Sequence, residues 1–306
     1  MKPRPDLPQA LAASVGLRVD QIDTPALVVD LDAMERNIAR MADFARKHQV
    51  LWRPQAKLHK SAEIALLLQR AGAVGACVQK TAEAEALAAG GVRDITITNQ
   101  VIAHPKLLRV ARLAAHLQTQ GGRLALAVDS AEGIQRLAEA MAQAAPQARI
   151  DVLVEIDVGQ GRCGVPPGEP ALALAQAVAR LTPLRFAGLH AYHGRAQHLH
   201  SAADRRDAIA AAVQAARHTR DLITNAGLPV PLVTGSGTGT LVHEAASGVY
   251  GELQAGSFLF MDADYARNER EPAQPAFEQA LFVKTQVISA CSSHAGGAGL
   301  VLGAKV

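Results

Sequence analysis

The sequence predicts an α/β chain, a TIM-type (β/α)8 barrel carrying an incomplete C-terminal β domain, and three observations predict it. From about Ala26 onward, short β-branched or apolar runs alternate with Ala- and Leu-rich stretches of helical period, which is the pattern of parallel βα units. Polar residues and glycines gather where those runs end, and in a parallel barrel that is where chemistry is placed. After Asn268 the texture changes. A polar, Pro-containing linker from Glu269 to Pro275 leads into partly alternating apolar and polar residues from Phe277 to Ser289, which read as a strand of a second unit.

Candidate strands fall at 26–30, 51–57, 75–80, 94–99, 124–129, 150–157, 185–193, 231–235 and 252–258, one more than a barrel needs. The first helix is specified locally. Asp32 can cap it, Glu35 stands where a capping box wants an acid, and Met34, Ile38, Met41 and Ala45 form one apolar stripe. Further helices are expected at about 61–71, 81–90, 105–118, 131–144, 170–181 and 204–226, with Gly or Pro near their ends. Ser292 to Gly299 is rich in Gly, Ala and Ser, and Leu300 to Leu302 begins an apolar run that stops at Val306. So few residues leave edge strands unpaired, so the β domain is expected to be incomplete.

Composition narrows the function classes. The 306 residues carry 31 Lys and Arg against 28 Asp and Glu, interspersed, so no basic footprint for nucleic acid is present. Cys77, Cys163 and Cys291 form no C-x-x-C pair, which argues against a disulfide framework or an all-cysteine zinc site and fits a reducing cytoplasm. We expect no secretory leader in Met1 to Val19 and no membrane span, since no run approaches about 20 apolar residues.

The polar strand exits carry the candidate chemistry. Lys57, in Leu51-Trp52-Arg53-Pro54-Gln55-Ala56-Lys57-Leu58-His59-Lys60, ends a strand beside a second lysine and a histidine. Partial desolvation near another cation would lower its pKa and suit it to condense with an aldehyde; a solvated loop lysine is the plainer reading of this run alone. Arg162 sits between glycines in Asp157-Val158-Gly159-Gln160-Gly161-Arg162-Cys163-Gly164-Val165, and its planar guanidinium suits an anionic oxygen, although a surface turn is equally compatible. Cys163 reads as a packed thiol, because no base is tied to it.

The strand ending at Tyr192 and His193 is followed by Arg195, Gln197, His198 and His200. No carboxylate or cysteine completes a metal set at the usual spacing, so acid–base work by one histidine, the others being structural, is the expectation. His190 reads as a satisfied core residue. The loop Thr234-Gly235-Ser236-Gly237-Thr238-Gly239-Thr240 offers N–H groups and hydroxyls to a phosphate, and Gln254-Ala255-Gly256-Ser257 could add more. It has neither the Gly-Lys-Ser/Thr of a P-loop nor G-x-G-x-x-G. Jointly these exits suit one ligand with an aldehyde, a phosphate and an anionic ring oxygen, as pyridoxal 5′-phosphate has.

Asp23-Thr24-Pro25-Ala26, the Arg53-Pro54-x-Ala56-Lys57-x-His59-Lys60 segment, Gly159 to Val165, Ala191-Tyr192-His193-Gly194, Gly237-Thr238-Gly239 and Glu252 to Ser257 together resemble the D-threonine aldolase and D-serine dehydratase family. These are fold-type III pyridoxal-phosphate enzymes with an alanine-racemase-like N-terminal domain. The likeness runs from about Asp23 to Asn268. It implies that the run at 26–30 belongs to the β domain, giving a segment 1–30, a barrel 31–268 and the start of a β domain at 269–306. It also implies Lys57 as the Schiff-base lysine, Arg162 as partner of the phenolic oxygen and Tyr192 as a residue packed at the ring. Gln79 lies at a neighbouring strand end. Ser236, Gly237, Thr238, Gly239, Gly256 and Ser257 are implied to hold the phosphate, and His198 to help deprotonate the substrate hydroxyl.

The implied activity is a lyase that cleaves small D-3-hydroxy amino acids such as D-threonine to glycine and an aldehyde. D-serine or D-3-hydroxyaspartate dehydration is the alternative, as is a cofactor-binding protein without activity. Two departures bear on this. Gln55 stands where the family commonly has histidine. The family also continues through Val-x-Asp-Ala-Gly to a His-x-Asp or His-x-Cys pair that binds a divalent metal of the Mn, Mg or Zn type, whereas Leu300-Val301-Leu302-Gly303-Ala304 lacks that aspartate. No metal ligands are therefore expected in this chain, and we expect it to bind cofactor better than it turns over substrate. The sequence does not set an oligomeric state, although an unfinished β domain would expose apolar surface and invite a homodimer.

Overall fold

A computed structural model of the chain describes residues 15–292 and 298–302. β1 (Ala26–Val29) leads into α1 (Leu31–His48), and a run of βα units follows. These are β2 (Leu51–Trp52) with α2 (Ala62–Arg70), β3 (Ala76–Val78) with α3 (Thr81–Ala89), β4 (Asp94–Ile97) with α4 (His104–Thr119), and β5 (Arg123–Val128) with α5 (Ala131–Ala144). β6 (Ile150–Glu155) with α6 (Glu169–Ala179), β7 (Leu184–Ala191) with α7 (Ala202–Asn225), β8 (Val233–Gly235) with α8 (Leu241–Ala246), and β9 (Glu252–Leu253) complete the series. β2 to β9 form one eight-stranded parallel sheet in the order β2-β9-β8-β7-β6-β5-β4-β3. Its two ends meet where the chain running on from β2 bridges β3 at Gln55 and Cys77, with Cys77 N donating to Pro54 O at 2.9 Å. The sheet thus curls into the expected barrel. The ninth run, β1, stands outside it, antiparallel to β10 (Leu281–Lys284).

α1 begins two residues earlier than the sequence suggests. Asp30, still extended at φ −77° and ψ 102°, is its cap, and the carboxylate accepts from Ala33 N at 3.0 Å. Asp32 instead sits in the first turn, where a negative charge still favours the helix dipole. The stripe Met34, Ile38, Met41 and Ala45 is buried as expected.

Expected as one strand, Phe277 to Ser289 is two. β10 stops at Lys284 because its partner begins at Ala26, opposite Lys284; beyond that the chain has no ladder to join. β11 (Val287–Ser292) then pairs antiparallel with β12 (Ala298–Leu302). Residues 293–297 of the Gly/Ala/Ser stretch, Gly303 and Ala304 of the final apolar run, and 1–14 of the N-terminal segment lie outside the described residues.

Side chains of a strand alternate between faces, and the barrel uses both. Ile95, Ile97, Leu124, Leu126, Val152 and Val154 pack into the apolar layer beneath the helices. The alternate register turns Arg53, Thr96, Asp151, Glu155, His190, Thr234 and Glu252 inward, all buried. Buried polar groups must be paired, and these form a column. His190 Nε2 meets Gln254 Oε1 at 3.1 Å, and Gln254 Nε2 donates to Thr234 Oγ1 at 2.9 Å. Thr234 Oγ1 donates to Glu252 Oε1 at 2.8 Å, and Arg53 Nε donates to Glu252 Oε2 at 3.0 Å. At the strand starts the column meets a belt of charges. Asp94 joins Arg53 to Arg123, and Asp151 takes Arg185 through two hydrogen bonds.

Asn37 clasps the segment beyond the barrel to α1. Fully buried, it donates from Nδ2 to Leu259 O at 3.2 Å and to Glu278 O at 2.7 Å, while Oδ1 accepts from Glu278 N at 2.7 Å. Outside this clasp, hydrogen bonds from Arg36 and Arg40 hold the Glu278 carboxylate down at about 2. Asn37→Leu would strand one N–H and two carbonyls, so a loss of about 2–4 kcal/mol in urea unfolding is expected; a loss below about 1 kcal/mol would mean that the clasp carries no stability. Among the described residues no helix is long and apolar enough to cross a membrane.

Candidate active site

At the C-terminal mouth of the barrel the strand exits line a cavity. Lys57, Gln79, Arg162, Tyr192, Ser236, Gly237, Thr238, Gly256 and Ser257 all face it, so most of the residues singled out from sequence come together. Each lies two residues, or a short loop, beyond an inward-facing barrel position. The alternation that builds the interior therefore also aims the site.

Lys57 does not end the strand itself. β2 stops at Trp52, and past the Gln55–Cys77 bridge Lys57 sits in a 3-10 turn, Ala56–Leu58. Its amine is held below the ordinary lysine range, first by partial burial and then by the charge of Arg162. Arg162 is exposed to the cavity and also helps draw down Glu155. Burial pushes that carboxyl up, but His190 and Gln100 outweigh it and leave it below its usual range. The Tyr192 phenol is raised by burial and stays protonated at neutral pH.

Gln55, Gln79 and Thr98 make one polar wall. Gln55 Nε2 and Gln79 Nε2 both donate to Thr98 Oγ1, at 2.9 and 3.1 Å, and the hydroxyl passes its proton to Val78 O at 3.2 Å. The floor is His190, with Nδ1 3.6 Å from Glu155 Oε2, beyond hydrogen-bond reach but within ion-pair range. Thr98 and Tyr265 line the cavity and were not singled out from sequence, while His190, read as a core residue, Gln55, noted only as a departure, and Gln254, read as part of a phosphate exit, line it too. The missed signal was the step of two: Gln55 precedes Lys57, His190 precedes Tyr192, and Gln254 precedes Gly256.

Two expected residues stand apart. Gly239 does not face the cavity, because its N–H donates to Gln197 Oε1 at 2.8 Å and is spent there. His198 lies on the exposed rim with Nδ1 2.7 Å from Asp264 Oδ2, its ring 6.1 Å from that of the cavity-lining Tyr265. His200 shares the same aspartate at 3.5 Å. Among the described residues no group of three or more His, Cys, Asp or Glu side chains is set to hold a metal ion. The donors described do not fit the implied divalent metal.

The loops around Ser236–Thr238 and Gly256–Ser257 form a cup. A Cβ on Gly237 would lie 2.4 Å from Gln197 Oε1, and one on Gly256 2.7 Å from Gln55 O, so main chain alone fits there. Phe258 N donates to Thr238 Oγ1 at 2.9 Å and ties the two loops together. Hydroxyls and close main chain suit a phosphate ester, as the nearby Lys57 amine suits an aldehyde.

Such a barrel, with an amine and a phosphate-sized cup at one mouth, is the class described as alanine racemase, N-terminal domain, and residues 29–264 match that family. Within it, the chain is 43% identical to a D-threonine aldolase of an Arthrobacter species, over 90% of this chain and 71% of the relative. It is 39% identical to a 3-hydroxy-D-aspartate aldolase of Paracoccus denitrificans, over 93% of this chain and 73% of that one. A D-threo-3-hydroxyaspartate dehydratase of a Delftia species is more distant, at 33% over 79% of this chain and 62% of the relative. The crystal structure of D-threonine aldolase from Filomicrobium marinum superposes with a TM-score of 0.85 at 44% identity, covering 89% of this chain and 71% of that one. The chain belongs to the alanine racemase N-terminal domain family, in its D-threonine aldolase branch.

Proposed function

We propose that the chain is a pyridoxal-phosphate-dependent lyase that cleaves D-threonine and other D-3-hydroxy amino acids to glycine and an aldehyde. The observation that carries this reading is the convergence of Lys57 and Arg162 on one cavity with the cup of Ser236–Thr238 and Gly256–Ser257. Identity of 43% and 39% to two aldolases, against 33% to a dehydratase, favours carbon–carbon cleavage. When bound, pyridoxal phosphate supplies an aldehyde for an amine and a conjugated ring that accepts the electron pair of a bond broken at the substrate Cα.

The chain's own residues hold and orient. Lys57, depressed by burial and by Arg162, is the amine that would hold the aldehyde carbon. Arg162 keeps a fixed positive charge beside it, suited to a phenolic oxygen. Ser236, Gly237, Thr238, Gly256 and Ser257 would hold the phosphate, and Tyr192 would bound the ring. Gln55 and Gln79, fixed through Thr98, give a neutral polar wall where a titratable group would add a second charge. His198, although it lies on the exposed rim, is the base that would take the 3-hydroxyl proton. Asp264 holds its Nδ1, leaving Nε2 as the acceptor.

The test is product analysis. With D-threonine and pyridoxal phosphate, acetaldehyde and glycine should form in equal amounts. Formation of 2-oxobutanoate and ammonia would make the chain a dehydratase, and a cofactor-loaded protein inert to D-threonine with added manganese would make it a binding protein.

A further inference from the structure

Behind the phosphate cup, on α8, lies a carboxyl that the proposed reaction does not use. Glu244 is 1% exposed. Its Oε1 accepts from Thr240 Oγ1 at 2.8 Å, and Thr240 Oγ1 in turn accepts from Gln197 Nε2 at 2.8 Å. The Gln197 amide oxygen then holds Gly239 N, so Glu244 anchors the far side of the loop. Its other oxygen, Oε2, is buried without a hydrogen-bond partner. The Ser236 hydroxyl faces the same carboxyl but points weakly at Gly237 O, 3.4 Å away.

Ser236 itself is unusual, a non-glycine residue at φ 77° that lines the cavity. Backbone strain of this kind, about 1 kcal/mol or more, persists only where the surroundings enforce it. Here it places one hydroxyl between the buried acid and the cup. An ionised Glu244 would put an unpaired buried charge next to a bound phosphate dianion. A neutral one carries an O–H on Oε2, which can donate to Ser236 Oγ and free the serine proton to point into the cavity.

We propose that Glu244 is a positioning residue of the phosphate cup, taking up one proton from solvent when a phosphate-bearing ligand binds and, as the acid, turning the Ser236 hydroxyl toward that phosphate. This rests on the reading of the cup given above. Burial is the main cause that pushes Glu244 up to about 7, with the Thr240 hydrogen bond and the nearby Ser236 hydroxyl opposing it. Tyr192 and Tyr250, the ionisable groups that feel its charge, are both kept protonated by burial. His243, on the same helix, faces Glu271, Arg205 and Arg206. The sign follows: below about pH 7 the acid is already present, whereas above it each binding event must draw a proton from solution.

Pyridoxamine 5′-phosphate is the probe, since it carries the phosphate but no aldehyde for Lys57. Calorimetric titration from pH 6 to 8.5, in buffers of different ionisation enthalpy, gives affinity and proton count together. The natural chain should lose about tenfold in affinity between pH 6 and 8 relative to Glu244→Gln, a permanent donor of the same shape. It should also take up close to one proton at pH 8, and the variant none. Ser236→Gly, which accepts φ 77° without strain, should lose the same pH response. Parallel profiles for the natural chain and Glu244→Gln, or no proton uptake by the natural chain, would overturn the proposal; if the variant does not fold, the proton count decides alone. Failure of either protein to bind the probe at any pH would overturn the phosphate reading of the cup as well.

Discussion

Lys57→Ala is expected to lower kcat/KM for D-threonine cleavage by about three orders of magnitude or more, ~4 kcal/mol of barrier. The amine is the group in the cavity able to bond an aldehyde carbon, and alanine leaves nothing in its place. Lys60 cannot substitute. Its side chain is 61% exposed and its Nζ lies 3.6 Å from Glu83 Oε1, so it is solvated and counter-charged, while the Lys57 amine is partly desolvated and faces Arg162. Borohydride reduction of the natural chain with pyridoxal phosphate should therefore leave a pyridoxyl group on the peptide containing Lys57, and none on the variant. The variant should still bind pyridoxamine 5′-phosphate, because the cup at Ser236–Thr238 does not depend on the lysine. A label on Lys60 or elsewhere in the natural chain would remove Lys57 from the centre of the site.

The βα alternation was legible because each element declares itself over a short window. The stripe Met34, Ile38, Met41 and Ala45 is buried as its spacing requires, and α5 spans Ala131–Ala144 as its apolar period suggests. Lys57, Arg162 and Tyr192 were legible because a polar residue at a strand exit is conspicuous. The polar column was not. Its members are single polar residues inside apolar runs, such as His190 between Leu189 and Ala191, and their partners are remote: Arg53 and Glu252 are 199 residues apart in sequence. Ring closure brings them together, and no local pattern encodes ring closure. Glu244 hid for the same reason, since one acid in a short helix reads as a solvated face until the loop packed over it is known. For Asp32 and Gly239 the reading missed a competitor: Asp30, two residues earlier, reaches the free N–H first, and the remote Gln197 claims the glycine N–H.

Arg53→Met is expected to destabilise the barrel by about 3–5 kcal/mol, the cost of leaving a buried charge without its partner. Arg53 is 2% exposed and Glu252 1%, and the guanidinium bridges Glu252 at 3.0 Å and Asp94 at 2.5 Å. Methionine matches the stem in volume but answers neither carboxylate. Asp94 keeps Arg123, at 2.7 Å, and tolerates the loss. Glu252 keeps a hydroxyl, that of Thr234, which does not neutralise it. Water admitted beside it then disturbs Thr234 and, through it, Gln254 and His190 on the cavity floor. Urea unfolding should show the loss. Adding Glu252→Gln to Arg53→Met should recover part of it, because the second change removes the stranded charge. A single variant within about 1 kcal/mol of the natural chain, or a pair whose losses simply add, would show that the column is held by hydrogen bonds without an ion pair at its base.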